Sequence, residues 1–176
     1  MAVRLDLPPD YGFVGFGIAA LAIVQFGLGA RAMSLRYYFK TEDFRNNPKI
    51  KAIQEEHKKT FGADINEFGY PDMGNGRYFE ALPYDYWVKF NNYQRAHYNM
   101  IENSAYMFAC ALFNGIMFPK FSAGISVLHA VGRIVYAIGY TTKRGADGRL
   151  VGATIGTITQ AAAIFTAVYI AVQSIR

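Results

Sequence analysis

The chain is poor in the residues that usually announce a chemistry. Its 176 residues include one cysteine, three histidines and one tryptophan, and only 18% of them are charged. The single cysteine, Cys110, rules out an intrachain disulfide; placed in an apolar run, it reads as a packing residue rather than a nucleophile. No His, Cys or carboxylate cluster has metal-ligand spacing, and Asp64, Asn66, Glu67, Asp72 and Asn75 do not follow the pattern of a calcium loop, so no metal is expected. No small-residue cleavage site closes the first apolar run behind Arg4, Asp6, Pro8, Pro9 and Asp10, so a cleavable signal peptide is not expected there.

Apolar length is what the chain does have. Hydrophobic residues make up 52% of it and are gathered into runs. Phe13 to Gly29 has Gln25 as its one clearly polar side chain, Ser104 to Phe118 and Ser122 to Tyr140 are mostly apolar, and Gly152 to Val172 is uncharged. Each approaches the ~20 residues needed to cross a bilayer. The expectation is an all-α membrane protein, a single domain over residues 1–176. Its four transmembrane helices form an up-down-up-down bundle, with a polar insertion at 41–88 between helices 1 and 2. Small residues such as Gly15, Gly27, Gly152 and Gly156 let helix backbones approach closely in lipid.

The net charge of +5 is distributed as a membrane protein distributes it. Nine Lys or Arg lie from Arg36 to Lys89 and three from Lys143 to Arg149, against Arg4, Lys120 and Arg176 on the other side. The positive-inside rule puts the two basic loops on the cytosolic or equivalent face and both termini across the membrane. No nucleic acid is needed to account for the charge.

Within 41–88, Asn47 can cap a helix with Pro48 at its first position, and Ile50, Ile53 and His57 share one face before Gly62. An amphipathic helix over 48–61 follows, then turns at Tyr70-Pro71 and Asn75-Gly76. Phe61, Phe68, Tyr70, Tyr78, Phe79, Tyr84, Tyr86 and Trp87 supply contact area for folding over the bundle mouth or for docking a partner. Their number favours a partner, the insertion linking the chain to a larger membrane complex.

The most unusual stretch runs from Phe90 to Glu102. On a helix, Asn91, Arg95, Asn99, Glu102 and Tyr106 form one polar stripe, while Tyr93 and His97 lie on the far side. Charge on such a helix is expected to be buried between other helices, with Arg95 or an outside cation opposite Glu102. Downstream, His129, Arg133, Tyr136 and Tyr140 again share a face. Arg133 has a structural explanation, pairing with Glu102, beside its functional one; His129 reads as a satisfied core histidine.

Phe90-Asn91, Gln94 to His97, Asn99 and Glu102, together with Val131 to Tyr140, resemble the second and third helices of the membrane-associated proteins in eicosanoid and glutathione metabolism, the MAPEG family. The resemblance is closest to the type 3 microsomal glutathione transferases. It implies a homotrimer among membrane lipids, in the endoplasmic reticulum or a mitochondrial membrane, with glutathione as co-substrate. It assigns glutathione binding to Arg36, Arg95, His97, Asn99, Glu102, Arg133, Tyr136 and Tyr140, and thiolate stabilisation to Arg149 or Arg144. Tyr37 and Tyr38 stand where some relatives carry a second basic residue, and Asn103 replaces the tyrosine of the leukotriene-forming members. The activity implied is conjugation of lipophilic electrophiles or reduction of lipid hydroperoxides. The competing class is a non-catalytic subunit of a larger membrane assembly.

Overall fold

A computed structural model describes residues 7–69 and 74–175; Arg4, the Tyr70-Pro71 turn, Asp72 and Arg176 lie outside the described residues. The helices are α1 (Gly12–Ser34), α2 (Glu42–Arg45), α3 (Pro48–Phe61), α4 (Arg77–Glu80), α5 (Tyr84–Met117), α6 (Pro119–Tyr140) and α7 (Leu150–Ile175), with 3-10 turns at Pro9–Tyr11, Leu35–Lys40 and Gly145–Arg149. Local chemistry sets several of these limits. The Asn47 side chain accepts from the Lys49 N–H at 3.0 Å, Pro48 opens α3, and Gly62 at φ 68° closes it with its N–H on the Lys58 carbonyl. Phe118 alone separates α5 from α6, whose first residue is Pro119.

Segments 9–40, 119–140 and 145–175 are long and apolar enough to cross a membrane. The helix carrying the polar stripe, α5, spans 34 residues, or about 51 Å at 1.5 Å per residue. It is one unbroken helix from the end of the 41–88 segment through the expected second apolar run.

The long helices pack around α6, which touches α1, α5 and α7. Small residues make that possible. A Cβ on Gly152 would lie 2.1 Å from the Tyr136 backbone nitrogen, and one on Gly132 would lie 2.7 Å from Ile155 Cγ2, so α6 and α7 meet backbone to backbone. Leu21, Met100, Met107, Ala130 and Ala163 form the shared apolar centre. Further along, Asn114 Nδ2 donates to the Ala163 carbonyl at 2.9 Å and Ser122 Oγ to that of Ala111 at 2.7 Å.

A second core lies outside this bundle. Phe39, Phe44, Ile50, Tyr78, Phe79, Leu82 and Phe90 are buried against one another, joining the 3-10 turn after α1, helices α2 to α4 and the start of α5. The Tyr86 hydroxyl donates to the Leu35 carbonyl at 2.9 Å while its ring stacks on Tyr38 at 4.1 Å. Burial, then the neighbouring Tyr38, pushes the Tyr86 hydroxyl above its ordinary pKa, keeping it a donor. The aromatics of 41–88 therefore divide. Tyr78 and Phe79 fold back into this core, whereas Phe61, Tyr84 and Trp87 stay exposed.

Candidate functional site

The α6 face predicted from its spacing turns inward, and His129, Arg133, Tyr136 and Tyr140 are all buried. Arg133 Nε donates to His129 Nε2 at 3.2 Å. That bond leaves the histidine proton on Nδ1, which donates to Thr159 Oγ1 at 2.8 Å, and the Thr159 hydroxyl passes its own proton toward the Gly156 carbonyl at 2.8 Å. His129 is thus a neutral, satisfied core histidine, as expected. The opposite edge of the guanidinium donates through Nη1 to Asn99 Oδ1, and the Tyr136 ring centroid lies 5.5 Å from Cζ. A Cβ at position 156 would come within 2.4 Å of Arg133 Nη2, so Gly156 makes the room in which the guanidinium lies.

A second arm reaches the same place from α7. Gln160 Nε2 donates to Asn103 Oδ1 at 2.9 Å, Tyr106 donates to that same oxygen, and Asn103 Nδ2 donates to the Asn99 carbonyl. Thr159 and Gln160 had no place in the sequence reading. Their signal was present: Gly152, Gly156, Thr159 and Ala163 fall at steps of four, three and four, and all are buried. Gln160 is the one amide side chain in the uncharged run from Gly152 to Val172.

At the outer end of this network Tyr136 and Tyr140 lie 5.6 Å apart, and Arg149, from the 3-10 turn, sits 5.5 Å from the Tyr140 centroid in electrostatic contact with both tyrosines. Arg144 is exposed, and its backbone N–H is tied to Thr142 Oγ1. The fold thus gathers Asn99, Arg133, Tyr136, Tyr140 and Arg149.

The other sequence candidates are elsewhere. The Arg133–Glu102 pair does not form: Arg133 has only neutral hydrogen-bond acceptors among the described residues. The inward side of α5 is set by Ala96, Met100 and Met107, which turns Arg95 and Glu102 outward. Both are exposed, with no ion-pair partner among the described residues, so the expectation that they are buried between helices of one chain is corrected. His97 packs against α1, where a Cβ on Gly29 would lie 2.9 Å from its Nε2, beside a cavity of about 450 Å³ also lined by Gln25, Met33 and Phe108. Arg36 lies in the second core, with Cζ 5.2 Å from the Phe79 centroid and 5.9 Å from that of Phe90, and Nη1 donating to the Phe68 carbonyl at 3.4 Å.

The family profile described as "MAPEG family" matches residues 14–169. The chain belongs to the MAPEG family, and with its three apolar membrane-length segments it is an integral membrane protein. Comparison with curated proteins and with solved structures gave no significant match.

Proposed function

We propose that the chain is a glutathione-dependent transferase or peroxidase of the type 3 microsomal kind, acting on lipophilic electrophiles or lipid hydroperoxides. The observation that carries this reading is Arg133. It is a buried cation with neutral hydrogen-bond partners only among the described residues, held between Asn99 and His129 and neighboured by Tyr136. A desolvated guanidinium without a carboxylate is costly, and an anionic ligand offsets that cost. Glutathione supplies two carboxylates, an ammonium group and a thiol.

In this reading α5 is the fourth transmembrane span, both termini lie on one side, and three copies assemble. Trimerisation gives Arg95 and Glu102 their partners, since an unpaired charge facing lipid is unfavourable. It also brings the Arg36 and His97 side of one copy to the Arg133 side of the next. Arg133 grips one carboxylate and Arg95 with Arg36 the other, Glu102 takes the ammonium, and Asn99 and His97 bond the peptide groups. Arg149, over Tyr140, holds the thiol as its thiolate. In conjugation the sulfur forms a C–S bond as the electrophile's leaving group departs or its double bond accepts a proton. In peroxide reduction the sulfur takes one oxygen, the lipid alcohol leaves, and a second glutathione closes the disulfide with loss of water.

Glutathione binding, conjugation and hydroperoxide reduction by detergent-purified protein test this directly. Arg133→Gln is expected to lose about ten- to a hundred-fold in glutathione affinity, the loss of a charge-assisted bond. Arg149→Ala is expected to lower turnover more than affinity and to abolish the ultraviolet thiolate absorbance seen on mixing. Wild-type protein that neither binds glutathione nor turns it over removes the proposal.

The second reading, a non-catalytic subunit of a larger membrane complex, draws on a different observation. At Ala96, α5 packs on Tyr140 near the end of α6, so Tyr84 stands twelve residues, about 18 Å of helix rise, beyond it. Tyr84 and Trp87 are exposed there and stacked at 6.2 Å, with Phe61 exposed at the end of α3. Replacing 47–84 by a short Gly-Ser linker separates the readings. Loss of a native high-mass complex with activity kept marks a docking element; loss of activity within that complex marks a lid.

A further inference from the structure

A groove opens between α1, α5 and α6 on the side of α1 away from His97. Gly27 and Arg31 line it, about 200° round the helix from Gly29 and Met33, which line the His97 cavity. Leu28, Ile134 and Ile138 complete its apolar walls, Tyr93 stands beside Arg31, and its volume is about 340 Å³.

The two ends of this groove differ in chemistry. Arg31 lies in the last turn of α1, and Ile138 lies close to the end of α6 at Tyr140, so Arg31 stands where hydrocarbon gives way to headgroups. Its guanidinium is held rather than neutralised: Cζ sits 5.5 Å from the Tyr93 centroid and Nη2 donates to the Tyr93 hydroxyl at 3.4 Å, with no carboxylate partner among the described residues. The Tyr93 hydroxyl, accepting from Arg31, keeps its own O–H to donate. The walls below Arg31 are apolar, with Ile138 and, one turn deeper, Ile134 both exposed. Position 27 opens onto this space: a Cβ there would meet nothing within 4 Å.

We propose that this groove is a phospholipid site, with the lipid phosphate on Arg31 and the Tyr93 hydroxyl and an acyl chain lying past Gly27 between Leu28 and Ile134/Ile138. A fixed cation beside a free hydroxyl donor matches a phosphate diester, and an apolar slot running from it into the bilayer matches the chain attached to that phosphate. The site uses none of the residues assigned to glutathione and stands whether or not the chain is catalytic.

Native mass spectrometry of the full-length protein, purified in detergent and supplied with phosphatidylglycerol, tests the proposal. Wild type is expected to retain one lipid per chain through delipidating washes. Arg31→Gln is expected to lower that occupancy about tenfold, a single charge-assisted contact. Gly27→Leu, whose Cβ meets nothing within 4 Å and whose side chain enters the acyl path, is expected to do the same with helix content and oligomeric mass unchanged. The proposal is overturned if wild type retains no lipid, or if either variant retains as much as wild type. Displacement of the lipid by inorganic phosphate, marking a simple anion site, overturns it too, as does a change of oligomeric mass in Gly27→Leu, which assigns the groove to a second copy of the chain.

Discussion

The core among the long helices and the core beneath residues 39–90 are built from opposite materials. Between α6 and α7 the contacts are glycines at 132, 152 and 156, with a chain of hydrogen bonds from Asn99 of α5 through the Arg133 cation and His129 to Thr159. In the second core they are rings: Phe39 on Phe44 at 4.8 Å, Phe79 on Phe90 at 4.3 Å, and Arg36 over three phenyl faces. The difference follows from the solvent. In lipid, burying a large apolar side chain gains little, because the surroundings are already apolar, so close backbone approach and polar pairing hold helices together. Next to water, each buried ring contributes its full transfer free energy.

The largest expected effect is therefore in the second core. Phe79→Ala removes a fully buried ring and is expected to cost the second core about 3–5 kcal/mol. Hydrogen exchange should show α3 and α4 losing protection while α6 keeps its own. Equal loss in α6 would mean that the two cores unfold as one, and the contrast would fail.

A methyl-sized change should matter more in the bundle than a lost hydrogen bond. Gly152→Ala drives its methyl into the Tyr136 backbone and is expected to cost about 1–3 kcal/mol, read as a lower melting temperature in detergent with α3 protection intact. An unshifted melting temperature would show that α7 can slide and that backbone contact is not what holds it.

The smallest effect is expected at Thr159. Thr159→Val keeps the shape and removes the hydroxyl between His129 and α7, for about 0.6 kcal/mol, the typical value of an interhelical hydrogen bond in lipid. A loss approaching that of Phe79→Ala would sharpen the comparison in the other direction, because it would make the Arg133 network the main support of the bundle.

Much of this was legible in the residues. The Asn47-Pro48 start and Gly62 stop of α3, the Pro119 start of α6 and the inward face of His129, Arg133, Tyr136 and Tyr140 depend on local backbone chemistry and helical period, and both are written in the sequence. The partners of that face were not legible. Glu102 was the natural counter-charge for Arg133 by depth and sign, yet the rotation of α5 that buries Ala96, Met100 and Met107 presents Asn99 to Arg133 and turns Glu102 outward. The aromatics of 41–88 looked too numerous for one chain because Phe39 and Phe90, from either side of the segment, and Phe44 within it were not counted as the surface they would cover.

By itself the sequence determined the class of the protein and the helices that carry its polar residues, since apolar run length, caps and 3.6-residue periodicity are properties of one segment at a time. Only the tertiary structure decided which polar group faces which. It set Arg133 between Asn99 and His129, brought Thr159 and Gln160 of α7 into the same network, and placed Arg149 rather than Arg144 over Tyr140. Those choices depend on how far each helix is rotated and how closely its backbone can approach its neighbour, and both come from packing several segments together at once.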